Sequence, residues 1–112
     1  MATAEECRIA LETFASQLAA NNEQVKRKLT FERTLACDIT DLGISFHGKF
    51  TQGTLGAIIE GNDPSAEIRM TVGSDDLVAL INNELEFGKA FASGRVKIKA
   101  SIMDLLKLKA IL

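Results

Sequence analysis

The chain contains no tryptophan or tyrosine, one histidine, two cysteines and one proline. It also lacks any stretch approaching the ~18–20 consecutive apolar residues of a membrane span. Each scarcity closes off a class of function. The lone histidine, His47, sits on the polar parity of a strand with no partner motif beside it. No HExxH, CxxC, GxSxG or phosphate-loop pattern is present. His47 therefore reads as a solvated strand residue. Cys7 and Cys37 have no metal-ligand spacing, and each shares the parity of apolar neighbours, so both read as small buried hydrophobes. Nothing calls for a metal or a cofactor. Lys and Arg number 13 against 15 Asp and Glu, a formal charge of −2. A nucleic-acid domain would carry a basic stripe, so no grip on phosphate is expected.

The acidic pairs Glu5-Glu6 and Asp75-Asp76 fall at helix starts, where the helix dipole already accounts for them. Gly43, Gly53 and Gly56 read as turn and strand glycines. A catalytic carboxylate pair finds no support beyond these. The sequence gives no positive sign of an enzyme.

What is present is a clear alternation of helical and extended periods. Thr3-Ala-Glu-Glu6 is a capping-box signature. Cys7, Ala10, Leu11, Phe14, Ala15 and Leu18 follow at helical spacing, predicting a helix over 4–20 that ends at Asn21-Asn22. Residues 23–28 read as a loop or one short helical stretch. From Phe31 the period becomes two. Phe31, Arg33, Leu35, Cys37 and Ile39 take one parity, all apolar except Arg33. Asp41-Leu42-Gly43 turns the chain into a second strand, where Ile44, Phe46 and Phe50 alternate with Ser45, His47 and Lys49. Thr51-Gln52-Gly53 turns it into a third, Thr54 to Glu60. After the loop from Gly61 to Pro64, a fourth strand alternates Ala66, Ile68, Met70 and Val72 with Glu67, Arg69 and Thr71.

Ser74 is expected to cap the next helix, whose apolar face is Leu77, Val78, Leu80, Ile81 and Leu85. A short helix from Phe87 to Ser93 stops at Gly94. Val96, Ile98 and Ala100 alternate with Arg95, Lys97 and Lys99 in a fifth strand. Ser101 to Asp104 opens a terminal helix, Ile102 to Leu112, charged only at Asp104, Lys107 and Lys109. A surface helix ordinarily shows an apolar stripe somewhat over 100° wide. Here the apolar arc covers most of the circumference. Such a helix either closes over an apolar ligand or docks on another chain. Each strand has one apolar and one polar face, so the expected class is α+β, one sheet with helices packed on one face. At 112 residues, one domain is expected.

The run from Phe87 to Leu108 resembles the sterol carrier protein type 2 domain family. The shared pattern is a helix ending Phe91-Ala-Ser-Gly94, an alternating basic and apolar strand from Arg95, and a Leu-rich helix reaching Lys107-Leu108. The likeness is specific over 74–108, rests on element order alone over 31–73, and is weak before residue 30. It implies a five-stranded, mixed and mostly antiparallel sheet in the order 3-2-1-4-5, with an apolar tunnel between sheet and helices. It implies non-catalytic carriage of a fatty acid, fatty acyl-CoA or sterol-like lipid. The tunnel residues implied are Leu77, Leu80, Ile81, Phe87, Phe91, Ile102, Met103 and Leu106. Apolar helix faces are more often plain core, and on residues alone that reading stays open. Lys89, Arg95 and Lys97 are candidates for a head-group rim, against the simpler reading of a solvated face.

The start of the chain has no basic leader, and its end is not the Ser-Lys-Leu address of animal members. A cytoplasmic, stand-alone bacterial or archaeal protein, or a piece of a longer chain, is expected. The competing functional reading is an interaction module whose terminal helix packs on an enzyme partner or in a homodimer.

Overall fold

The structure is a computed structural model in which residues 1–28 and 32–109 are described. Phe31, expected in the first strand, and residues 110–112, expected in the terminal helix, lie outside the described residues. Helix α1 spans Ala4–Ala20 and opens on the full capping box, with Thr3 and Glu6 exchanging side-chain and backbone bonds. Its inner stripe is Cys7, Ala10 and Leu11, whereas Phe14 turns out to be exposed. A short α2, Asn22–Lys28, follows directly.

The strands are β1 (Arg33–Ile39), β2 (Ile44–Thr51), β3 (Thr54–Leu55), β4 (Ile59–Glu60), β5 (Ile68–Val72) and β6 (Val96–Lys99). They form one sheet in the order β3-β2-β1-β5-β6, with β4 also on β2. The β1–β5 pair is parallel and the others are antiparallel. Register matches the alternation. Cys37 faces Phe46 on one side and Met70 on the other, and Ile39 faces Ile44 and Val72. Val72 in turn faces Val96. All of these turn to the helical side, as an antiparallel-rich sheet covered on one face requires.

The expected third strand is divided. Phe50 pairs with Leu55, but Phe46 pairs with Glu60, so the edge carries one more residue than β2 between these points. This is a β-bulge. It brings the Ala57 carbonyl against β2, where a Cβ at position 48 would stand 3.1 Å from that oxygen. Gly48 thus accommodates a close backbone approach that a Cβ would crowd. The bulge also splits two neighbours: Ile58 packs on the core while Ile59 is exposed.

The polar face is not simply solvated. Strands β4 and β5 run parallel to β1 on opposite sides of it, so residues 61–67 must cross the sheet. Polar side chains of that face receive the crossing. Arg69 Nη2 donates to the Asp63 carbonyl at 2.6 Å, and the His47 ring Nδ1 donates to the Gly61 carbonyl at 2.9 Å. His47 is half-buried and structural rather than a freely solvated residue. Asp38 accepts from Ser45 at 2.6 Å and from Arg69 at 2.7 Å. Burial alone would raise its carboxyl pKa, but these two bonds and the Arg69 charge together outweigh burial and hold it below the usual range.

Helix α3 spans Ser74–Ile81. Its cap differs from expectation. The N-cap position is Gly73, and Ser74 lies inside the first turn, fully buried. The capping carboxylate comes from Asp41 in the β1–β2 turn, which accepts from the Ser74 backbone N at 2.8 Å and from its Oγ at 2.5 Å. That Oγ also accepts from the Ala2 backbone N at 3.1 Å. A carboxylate at a helix N-terminus satisfies free N–H groups and the dipole together. Helix α4, Phe87–Ala92, ends as expected at Gly94, whose φ of +83° is the left-handed conformation that favours glycine. Helix α5 spans Ile102–Lys109. No described helix is long and apolar enough to cross a membrane.

Ser74→Ala keeps the shape of α3 but strands the buried Ala2 N–H. A loss of about 1–3 kcal/mol is expected, the cost of an unsatisfied buried donor. Urea unfolding followed by far-UV circular dichroism would measure it.

Candidate functional site

The apolar set expected to line one slot divides in two. Leu77 is 1% exposed and belongs to the core with Cys7, Ile39, Phe46 and Val72. Leu80, Ile81 and Phe87 are partly buried against that same core. Phe91, Ile102, Met103 and Leu106 instead lie on the surface, at 48%, 77%, 65% and 59% exposure. The described residues do not show the tunnel. They show an apolar core and, separately, an apolar stripe facing outward.

The orientation of α5 has a definite cause. Ser101 caps it, its Oγ accepting from the Asp104 backbone N at 3.1 Å. The Asp104 side chain then turns inward and is almost fully buried. It meets Arg33 in a two-pronged pair, Nε to Oδ2 at 2.8 Å and Nη2 to Oδ1 at 3.1 Å. Arg33 stands on the inward row of β1, opposite Phe50. At 3.6 residues per turn, Ile102, Leu106 and Met103 fall within about 100° of arc, with Asp104 on the far side. Fixing Asp104 against the sheet therefore fixes those three side chains toward water.

The electrostatics follow. The Arg33 guanidinium, through its hydrogen bonds and then its charge, holds the Asp104 carboxyl below the usual range against the opposing effect of burial. Ser101 and Lys107 act in the same direction. Glu67 lies 3.8 Å from Arg33 as a second, more exposed partner. Sequence reasoning noted both ends of this pair without joining them: Arg33 as the exception in an apolar row, and Asp104 as the acid in a greasy helix.

Between the end of α3 and α4 lies a hollow of about 570 Å³, open to solvent and lined by Leu80, Asn83, Glu84, Leu85, Glu86, Phe87 and Lys89. The Phe87 and Phe91 rings stack with centroids 6.3 Å apart. Of the rim candidates, Lys89 lines this hollow, 3.8 Å from Glu86. Arg95 lies 3.9 Å from Asp76 at the start of α3. Lys97 pairs with Thr71 on the outer row, away from the helices. The three do not converge on one point.

Reactive groups are scarce. Both cysteines are free thiols and buried. Burial pushes the Cys37 thiol up to about 12 and raises that of Cys7, which leaves neither as a thiolate at neutral pH. Among the described residues no group of three or more His, Cys, Asp or Glu side chains is placed to hold a metal.

Two expectations follow. Leu77→Ala should cost about 2–5 kcal/mol, as core truncations do. Leu106→Ala should change stability by less than about 0.5 kcal/mol, as at an ordinary surface position. Denaturant midpoints of the two variants would separate them. Acid should also undock α5. A carboxyl with a depressed folded-state pKa contributes stability above its unfolded pKa and loses it as pH falls through the folded value. Amide resonances of Leu105 and Lys107 should therefore move in an NMR titration below the usual carboxylate range, and Asp104→Asn should abolish that step.

Comparison with known proteins places this architecture. The sterol carrier protein 2 like 2 of Aedes aegypti, a crystal structure, superposes with a TM-score of 0.65 at 19% identity, over 94% of this chain and 98% of that one. The solution structure of the palmitated form of that Aedes protein gives 0.63 at 20% identity, over 89% and 91%. A stereoselective inverting sec-alkylsulfatase from Pseudomonas gives 0.62 at 20% identity, over 88% of this chain but 16% of the sulfatase. These likenesses concern the fold. Comparison with curated proteins finds no match. The model of the SCP-2 sterol transfer family matches residues 11–112, nearly the whole length, and the chain belongs to that family.

Proposed function

We propose that the protein binds and carries a long apolar lipid, a fatty acid, fatty acyl-CoA or sterol-like molecule, without chemistry of its own. The observation that carries this reading is the α5 stripe. Three large apolar side chains face water on a helix that the Arg33–Asp104 ion pair ties to the sheet. Ile102, Met103 and Leu106 lie side by side, and contiguous exposed apolar surface is a common mark of a binding site. A structure similar in fold, the Aedes protein, is known in a palmitated form. The mechanism is burial. A 16-carbon chain gains of order 10 kcal/mol gross at ~0.8 kcal/mol per methylene, and association and ordering take back much of it. Selectivity for the tail should be loose, with polar groups choosing the head. For an acyl-CoA, whose phosphates lie far from the tail, Lys89 and Arg95 would serve as outlying cations, with Lys97 acting only at longer range.

The same stripe supports a second reading, an accessory module whose α5 packs on a partner enzyme or a second copy of the chain. The likeness to one part of a sulfatase belongs with it. Native mass spectrometry of freshly purified protein distinguishes the two. A lipid-sized adduct on a monomer supports carriage, whereas an adduct-free dimer supports the module.

An environment-sensitive fatty-acid probe is expected to saturate at about one site per chain and to be displaced by unlabelled fatty acid and acyl-CoA. With no tryptophan in the chain, probe emission is read without intrinsic background. Replacing Arg95 and Lys97 together by Gln should weaken acyl-CoA more than the alcohol of equal chain length, and high salt should shrink that difference. A signal that never saturates, or that no lipid displaces, would remove the carrier reading.

A further inference from the structure

The inward face of the sheet is unevenly covered. The main core gathers around Cys37, Ile39, Phe46 and Val72 beneath α1, α3 and α4. At the other end, nearer Arg33, a smaller cluster holds Phe50 and Ile68 fully buried, with Leu18, Leu35, Ile98 and Ala100 only partly so. Arg33 stands at the head of this thinner patch, on the same inward row as Leu35 and opposite Phe50. A cation at the end of an incompletely covered apolar row matches an amphiphile with a long tail and a single anionic head.

That place is already filled from within the chain. Asp104 presents a carboxylate to Arg33 in the two-pronged geometry that a fatty-acid carboxylate would use. The two are the same functional group, so exchanging one for the other at Arg33 is nearly balanced in energy. The balance is then set elsewhere. A displaced Asp104 leaves its buried place and regains water. Ile102, Met103 and Leu106, which the pair holds toward solvent, become free to turn onto the incoming tail.

We propose that Arg33 is the head-group anchor for a carboxylate lipid and that Asp104 is its built-in competitor. Binding the acid displaces Asp104, unlatches α5 and lets its apolar stripe close over the acyl chain. This rests on the lipid-carrier reading and adds the class of head group, the residue that takes it and the coupling to α5. A ligand shifts α5 only by its preference for the unlatched state, and here that preference has a named source.

The test compares palmitic acid with hexadecanol, each displacing a fluorescent fatty-alcohol probe from the full chain, in wild type, Asp104→Asn and Arg33→Gln. Asp104→Asn should tighten palmitic acid about tenfold, because it weakens the competitor at a charge-assisted bond, and leave hexadecanol nearly unchanged. Arg33→Gln should abolish the preference for acid over alcohol. Arg33→Lys keeps the charge and loses the fork; it should reduce that preference and serves if the Gln variant does not fold. In wild type, palmitic acid should move the Leu105 and Lys107 amide resonances toward their positions in ligand-free Asp104→Asn, and hexadecanol should not. Tight binding of both lipids with an acid-to-alcohol ratio that neither Asp104→Asn nor the Arg33 variants change overturns this inference and leaves lipid carriage standing. No binding of either lipid to wild type overturns both.

Discussion

The row of side chains crossing the sheet on its inward face is the constraint on which the other features depend. Leu35, Cys37 and Ile39 of β1 face Phe46 and Ile44 of β2 on one side and Ile68, Met70 and Val72 of β5 on the other. A shift of one residue in any strand would turn its apolar set to the wrong face. With the register so determined, the helices have one surface to cover. The parallel β1–β5 pair then obliges the chain to cross the outer face, and Asp38, Arg69 and His47 tie that crossing down.

Departures from simple alternation are informative for the same reason. Gly48 sits where the inward row should carry a side chain, and its absence lets the bulged edge approach β2. Ser74 is a polar residue in the core, tolerable because its hydroxyl is bonded to both Asp41 and the Ala2 N–H. Arg33 is a cation at the end of an apolar row, tolerable because Asp104 meets it. The first two stabilise the fold. The third holds a helix whose greasiest side faces outward, where it contributes little to the stability of the folded chain.

The two-pronged Arg33–Asp104 pair is a defined tie between α5 and the first strand of the sheet. Membership of the SCP-2 sterol transfer family agrees with the proposed lipid carriage.

The strands, their apolar parities and most helix limits could be read from the sequence, because periods of two and 3.6 are local properties of the chain. Thr3, Gly94 and Ser101 marked helix ends for the same reason: capping and left-handed turns involve neighbours within four residues. The split of the third strand escaped notice because a bulge is a relation between two strands. Asp41 as the cap of α3 escaped it because the donor and acceptor are 33 residues apart. The candidate site was legible in composition and not in direction. Its apolar residues were identifiable, but whether Ile102, Met103 and Leu106 point toward the sheet or away from it depends on which side of α5 is pinned. That was decided by a contact between residues 71 positions apart, which no periodicity encodes.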